Sequence, residues 1–359
     1  MMNTMSEEPA ESPTRFEPSL LVKIATALST HWRKILNGII FILIILTTLY
    51  TYWQPYPTGR EIYDRGHNGL WAGNQWVTGN TVCRSDTDCI QVTEEEQRKF
   101  IERLNRGGIQ YLALDAGAIY HDGGVSSTPG EFFARLKSEL PEKIILLAWL
   151  TSFSFDEQTE NPQWQRGLIS SIRSLQADGF DGVHFYFEDL SNRKGYLELL
   201  RALRRAFGKD LFISQTMALP ITLPFMTEEM QEYFFDMSFY HQSMTYADQT
   251  VLQAFMTALP LEKAYIASVS RSTGFMLDLA RKHPEHRILI GVPATGYGKF
   301  KRTFQWAENL RNALFGVQAQ LETYQEVPSA FEGISLYTAY TASPLDWEIF
   351  EKEWRGSSR

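Results

Sequence analysis

The sequence has few cysteines and no excess of basic residues, and both absences exclude classes of protein. Only two of its 359 residues are cysteine, so the fold is not a scaffold built on disulfides. The net charge is −8, whereas a protein that coats nucleic acid needs a basic face. With 44% apolar residues, we expect a protein that folds around a hydrophobic core and has no nucleic-acid partner.

The short motifs that hold nucleotides, metals or a catalytic serine are also absent. No Gly-x-Gly-x-x-Gly turn follows the first predicted strand, and there is no Walker loop, His-Glu-x-x-His or Gly-x-Ser-x-Gly. The sequence therefore predicts no cofactor and no metal site. It leaves the oligomeric state open.

One uncharged segment near the N-terminus predicts a membrane-spanning helix. Residues 35–53 contain no charged side chain and would span roughly 28 Å, close to the hydrocarbon thickness of about 30 Å. Arg33 and Lys34 precede the segment and Arg60 is the next charge after it, so the N-terminus is expected in the cytoplasm. A cleaved signal peptide is the disfavoured alternative, because no small-x-small site follows.

The chain is therefore expected to have four parts. Residues 1–34 form a partly disordered cytoplasmic tail, residues 35–53 a transmembrane signal anchor, and residues 54–65 a linker. Residues 66–359 form a folded domain outside the cytoplasm. In an oxidising compartment Cys83 and Cys89, six residues apart in TVCRSDTDCI, are expected to form a disulfide that closes a short loop.

Strand-length apolar runs alternate with helix-period segments through the folded domain. The predicted strands occupy 67–73, 111–117, 143–152, 182–190, 210–217, 236–244, 287–294 and 333–340. The predicted helices occupy 93–106, 130–140, 161–177, 193–207, 227–235, 259–282, 303–321 and 343–354. Eight such repeats predict an α/β fold, a (β/α)8 TIM barrel, with a doubly wound open sheet as the alternative.

A site in such a barrel lies at the C-terminal ends of the strands, and the predicted strand ends are rich in aromatic and amide side chains. Flat rings can stack on sugar faces and amides can bind hydroxyls, so this set is typical of a glycan groove. Half of it could instead fill the barrel, because alternate positions on a strand face opposite sides. The candidate substrate-binding residues are Trp71, Asp115, Trp149, His184, Gln215, Met217, Tyr240, Gln242, Met244 and Tyr337.

Three short stretches resemble one known enzyme family. The stretch ADGFDGVHFYFEDL resembles the fourth-strand motif of family 18 glycoside hydrolases, an Asp-x-x-Asp-x-Asp-x-Glu run whose positions here hold Asp181, His184, Tyr186 and Glu188. SMTYAD (243–248) and ILIGVPATGYG (288–298) resemble the sixth- and seventh-strand segments of that family. NGLWAGNQW (68–76) is similar to a first-strand feature of bacterial membrane-anchored proteins with glycosidase-like barrels.

The resemblance implies a barrel enzyme that retains configuration through the substrate's own acetamido group. Glu188 would be the general acid and Tyr186 would stand where the family has the aspartate that orients the acetamido group. Asp181 and Tyr246 complete the catalytic set that the resemblance implies. The uncharged segment at 35–53 and the first-strand similarity together imply a bacterial inner-membrane protein whose barrel is periplasmic or extracellular.

The sequence departs from the family at three of these positions. His184 and Tyr186 replace two of the four acids, and Ala247 follows Tyr246 where the family has an aspartate, so that Asp248 stands one residue late. Three functions stay open: a glycosidase acting on an envelope or extracellular polysaccharide, an inactive glycan-binding barrel, and a membrane-tethered scaffold.

The predicted topology can be tested with a reporter that is active only in the cytoplasm. Fused after Arg359 it should give no signal, because the folded domain lies across the membrane, whereas the same reporter fused before Met1 should be active. A strong signal from the C-terminal fusion would contradict the predicted orientation.

Overall fold

The computed structural model describes residues 20–59, 61–79, 82–83, 89–90, 92–126, 129–151, 158–186, 192–218, 237–294, 304–339 and 341–356. The chain divides into two compact units, Met1–Gln54 and Pro55–Arg359. The first unit contains helix α1 (Leu20–Tyr52). Its residues Lys34–Tyr52 are long and apolar enough to cross a membrane, with a mean hydropathy of 2.0, a test that a signal sequence would also pass.

Eight parallel strands of the second unit close into a barrel, which confirms the predicted TIM fold. Each strand pairs with the barrel strands before and after it in the chain, and the last pairs with the first. The strands are β1 (Asn68–Ala72), β4 (Ile109–Ala118), β5 (Ile145–Thr151), β6 (Gly182–Tyr186), β7 (Phe212–Ala218), β8 (Gln249–Gln253), β9 (Arg287–Pro293) and β10 (Phe331–Tyr337). A separate antiparallel pair is formed by β2 (Val82–Cys83) and β3 (Cys89–Ile90).

Helices connect the barrel strands and cover the outside of the barrel. They are α2 (Gln75–Thr78), α3 (Glu94–Arg106), α4 (Glu131–Glu139), α5 (Pro162–Asp178), α6 (Arg193–Phe207), α7 (Met237–Tyr246), α8 (Glu262–Ala280), α9 (Leu310–Leu321) and α10 (Pro344–Ile349), which continues into a π-helical turn, Phe350–Trp354. Local signals set their ends. Thr93 caps α3 by accepting from the Glu96 amide, and Gly179 ends α5 with a left-handed φ of 115°.

Alternation along each strand divides the apolar side chains into two layers. Leu70, Leu112 and Leu146 point outward and join the larger core beneath the helices. Trp71 and Leu147, each one position further along, point inward and belong to a second cluster inside the barrel. We call the C-terminal ends of the strands the barrel mouth. A side chain there points either into the barrel or toward the helices, depending on its place in the alternation along the strand.

The sixth barrel strand is not where the sequence predicted it. Residues 237–246 form helix α7, and the strand follows as β8. The prediction was wrong because the apolar residues of DMSFYHQSM also fit one side of a short helix, with Phe239, Tyr240 and Met244 buried. The predicted helix at 227–235 lies outside the described residues.

Two aspartates fasten the N-terminal ends of barrel strands, opposite the mouth. Asp248 precedes β8, and its carboxylate accepts from the Ile213 amide at 2.8 Å and from the guanidinium of Arg204. Asp181 precedes β6 and accepts from the Leu146 amide at 2.7 Å and from Lys137 at 3.2 Å. Asp181 therefore cannot belong to a catalytic set at the mouth, which corrects the prediction, and Asp248 is not a displaced catalytic acid.

We expect Asp248→Ala to lower the free energy of unfolding by about 3 kcal/mol, because it leaves the largely buried Arg204 charge without its carboxylate partner. The two side chains are only 13% and 14% exposed. Asp181→Ala is the matched control, since its partner Lys137 is 35% exposed, and it should cost about 1 kcal/mol. Urea unfolding of the two variants measures both changes, and equal losses would contradict the assignment.

Candidate functional site

Aromatic side chains from five barrel strands or their ends meet inside the mouth. The ring of Tyr337 is the centre of this aromatic cluster. Its centroid lies 5.4 Å from Trp71, 6.0 Å from Trp149, 6.0 Å from Tyr186 and 4.2 Å from Phe255. All five side chains are less than a tenth exposed. Trp71, Trp149, Tyr186 and Tyr337 were predicted site residues, and the structure brings them together.

Two indole groups of the aromatic cluster have buried N–H donors. The Nε1 atoms of Trp71 and Trp149 have no hydrogen-bond partner among the described residues. A buried donor without a partner costs roughly 1–3 kcal/mol, and such groups call for an explanation. These donors can bind an oxygen atom of a ligand that reaches the aromatic cluster.

His184 lies two residues before Tyr186 on β6, and its side chain also points into the barrel. Its ring is uncharged. Its ring nitrogens contact the hydroxyls of Ser214 and Thr216, both at 2.8 Å. Complete burial lowers the pKa of His184 from 6.5 to about 3. Since both nitrogens already have partners and the ring stays uncharged, His184 positions its neighbours and does not exchange protons with a substrate at neutral pH.

Asp115 supplies a carboxyl group at the end of β4. Strand register places it beside Trp149, which in turn lies beside His184. Its carboxylate accepts from the Gly117 amide at 2.9 Å, and burial raises the pKa of this carboxyl above its usual range. A raised pKa favours the protonated form, so Asp115 is a candidate proton donor at the mouth.

Two predicted ligand contacts on β7 are wrong, because both side chains face the helices. Gln215 accepts from the Tyr196 hydroxyl at 2.9 Å and donates to the Thr250 hydroxyl at 3.0 Å. Met217 belongs to the outer core. The inward positions of this strand are instead Ser214 and Thr216, which hold the His184 ring.

Four further predicted site residues lie on helix α7 and not on a barrel strand. Tyr240 and Met244 pack in the core beneath the helices. The side chain of Gln242 accepts from Arg201 at 2.7 Å, and the Tyr246 hydroxyl accepts from the same guanidinium at 3.0 Å. They are removed from the candidate site because the strand prediction that placed them at the mouth was wrong.

Three predictions fall outside the described residues. Glu188 follows Tyr186 by two positions and lies beyond the described end of β6. The side chains of Cys83 and Cys89 are likewise outside the described residues, although the backbone register of β2 and β3 places the two positions opposite each other. The general acid and the disulfide therefore stay predictions.

Phe255 is a member of the aromatic cluster that sequence reasoning missed. It follows β8 and begins a turn in which Met256 and Ala258 have left-handed φ angles of 59° and 55°. The buried carboxylate of Glu308 holds this turn by accepting from the Thr257 amide at 2.9 Å and hydroxyl at 2.8 Å. Strained turns of this kind occur mostly at functional sites. The apolar run VLQAF could have indicated the strand and this residue.

Comparison with known proteins identifies the fold. No family model matches the chain, and no curated protein matches it in sequence. The spore cortex-lytic enzyme SleL of Bacillus cereus is similar, with 14% identity and a TM-score of 0.53 over 83% of this chain and 75% of that one. A chitinase from Chromobacterium violaceum ATCC 12472 has 14% identity and a TM-score of 0.52 over 81% and 99%. The putative Chitinase A from Streptomyces coelicolor has 13% and 0.52 over 80% and 97%.

These similarities show that the chain shares the barrel fold of chitinases and of a cortex-lytic enzyme. The identities are too low to carry a reaction or a substrate across.

We expect His184 to make the protein less stable as the pH falls from about 6 to about 4. In this window the unfolded chain binds a proton on His184 and the folded chain does not, so stability declines by about 1.4 kcal/mol per pH unit. Burial also lowers the pKa of His286, to about 4. His286 therefore adds a similar pH dependence of stability to the wild type and to the variant. Urea unfolding of wild type and His184→Gln should show a flatter pH dependence for the variant. Equal slopes would contradict the neutral assignment.

Proposed function

We propose that the protein is a glycoside hydrolase that acts on an envelope or extracellular polysaccharide, with Glu188 as its general acid. Residues 35–53 would anchor it in the cytoplasmic membrane with the barrel outside the cytoplasm. The observation that carries the proposal is the course of β6, which brings Tyr186 into the aromatic cluster two residues before Glu188. The shared fold with chitinases and a cortex-lytic enzyme supports it.

The proposed reaction follows the substrate-assisted course that the sequence resemblance implies. Glu188 gives its proton to the glycosidic oxygen, and the bond from that oxygen to the anomeric carbon breaks as the acetamido oxygen bonds to this carbon. Water then attacks the same carbon, the bond from this carbon to the acetamido oxygen breaks and restores the acetamido group, and the water gives a proton back to Glu188. In this chain the Tyr186 hydroxyl would stand where the family has an orienting carboxylate and would accept a hydrogen bond from the acetamido N–H.

The aromatic cluster fits a sugar ligand in two further respects. The buried indole N–H donors of Trp71 and Trp149, which have no acceptor among the described residues, would donate hydrogen bonds to a ring or hydroxyl oxygen of the sugar. Asp115, whose pKa is raised by burial, is a second candidate proton donor. Apolar walls with a few convergent polar groups are typical of small-molecule sites.

A glycan-binding barrel without activity is the second candidate function. The observation that favours it is the loss of charge on β6. His184 has a pKa lowered to about 3 and both its nitrogens are bonded, and the next inward position holds the neutral Tyr186. A barrel that has exchanged two acids for neutral side chains can keep its affinity for sugars and lose the reaction.

The Glu188→Gln variant distinguishes the two functions. It keeps the shape of the side chain and removes the proton, so release of reducing ends from chitin oligosaccharides or envelope polysaccharide should fall by a factor of about 10² to 10⁴, while binding persists. Asp189→Asn is the matched control, because it makes the same change from carboxyl to amide at the neighbouring residue.

Cleavage at the wild-type rate by Glu188→Gln would reject this residue as the acid. If wild type and variant bind the same glycans and neither cleaves them, the enzyme proposal fails and the binding barrel replaces it.

A further inference from the structure

A short segment before the first barrel strand is fastened to the outside of the barrel, and we call residues 55–59 the strap. The Tyr56 hydroxyl donates to the Glu262 carboxylate at 2.7 Å, in the first turn of α8. The Glu322 carboxylate, which directly follows α9, accepts from the Gly59 amide at 2.8 Å. Both ends of the strap therefore have a fixed place on the barrel.

The strap begins on the side of the barrel mouth. A helix that follows a barrel strand starts at the mouth and ends at the opposite end of the barrel. Glu262 is the first residue of α8, and Glu322 follows the last residue of α9, so the strap runs away from the mouth. Its mouth-side residue Tyr56 comes three residues after Trp53, which ends the uncharged segment. Three residues span at most about 10 Å.

Exposed apolar side chains lie directly beside the start of the strap. Leu261 precedes Glu262, the partner of Tyr56, and is 51% exposed. Trp306 is 67% exposed, and its Nε1 atom donates to the carbonyl of the exposed Pro260 at 2.9 Å. We call Pro260, Leu261 and Trp306 the rim surface. It offers uncharged carbon atoms to its surroundings.

Single exposed apolar residues are common, but the position of the rim surface favours one partner. Tryptophan is enriched where a membrane meets water, because its ring is apolar and its N–H is polar. A small apolar surface binds a membrane only weakly on its own. A short connection to a membrane anchor removes that limit, because it keeps the lipid at a high effective concentration.

We propose that the rim surface of Pro260, Leu261 and Trp306 rests in the headgroup region of the lipid bilayer, so that this edge of the barrel mouth opens beside the membrane. The inference rests on the membrane anchor of the proposed function. It does not depend on the reaction, or on which side of the membrane the barrel occupies. Because the strap and the Trp306 indole are fixed before contact, little conformational entropy is lost when the surface meets lipid.

The test is quenching of tryptophan emission by brominated lipid, with the full-length protein inserted into phosphatidylcholine nanodiscs. Bromine near the headgroup end of the acyl chains quenches only those tryptophans that reach the bilayer. The difference between wild type and Trp306→Phe gives the emission of Trp306, and we expect it to fall in brominated nanodiscs. In the Trp306→Phe background, Leu261→Trp should add emission that is quenched in the same way.

Tyr120→Trp in the same background is the matched control. Tyr120 is 52% exposed and follows β4, which lies four strands from β8 in either direction around the barrel. The emission that this variant adds should be the same with and without bromine. Equal quenching at Leu261→Trp and Tyr120→Trp would mean that the barrel meets lipid without a preferred side, and would overturn the proposal.

Trp53→Phe separates the inference from the anchor, because Trp53 ends the uncharged segment. If the emission of Trp53 escapes quenching, the membrane anchor fails together with this inference. Quenching at Trp53 without quenching at Trp306 or Leu261→Trp rejects the inference alone. If brominated lipid has no effect and a chitin oligosaccharide or a higher protein concentration changes the Trp306 emission instead, a glycan or a second copy covers the rim surface and the proposal is wrong.

Discussion

Closure of eight parallel strands into one barrel forces every second side chain of each strand into a narrow interior, and the candidate site is a consequence of that constraint. Trp71 fits because the facing strand has glycine at position 291, where a Cβ would lie 3.0 Å from the indole Cη2 atom. Gly69 is similarly required beside Ser335, whose Oγ would lie 2.6 Å from an added Cβ. Small residues in the middle of the barrel thus make room for the large rings that converge on Tyr337 at the mouth.

The same enclosure accounts for the neutrality of the described interior near the mouth. An unpaired charge there would lose its hydration, and burial alone holds the pKa of His184 at about 3. Hydroxyls of Ser214 and Thr216 satisfy its two nitrogens without any charge. Two paired aspartates lie at the other end, where Asp181 and Asp248 bind strand amides and basic side chains. In the proposed reaction, the candidate proton donors at the mouth are Asp115 and Glu188.

Strand and helix order could be predicted from the sequence because seven of the barrel strands have apolar runs bounded by helix signals. The sixth strand could not be predicted, because the apolar residues of 237–246 fit either a strand or one side of a helix. In the folded protein they form a helix. The sequence also could not predict whether a strand residue faces the barrel interior or the helices. Gln215 and Trp149 both stand near strand ends, but only register against neighbouring strands puts the first outside and the second inside. The predicted helix at 303–321 begins at Leu310, because Asn309 caps it.

In the proposed function, a glycan binds at the barrel mouth over the aromatic cluster around Tyr337. The most direct measurement is a crystal structure of the Glu188→Gln protein soaked with a chitin oligosaccharide. We predict a sugar ring against Tyr337, with the indole nitrogens of Trp71 and Trp149 within hydrogen-bond distance of its oxygens. A sugar bound only on the outer helices, or an aromatic cluster that stays closed in crystals of a protein that binds the glycan in solution, would contradict the claim.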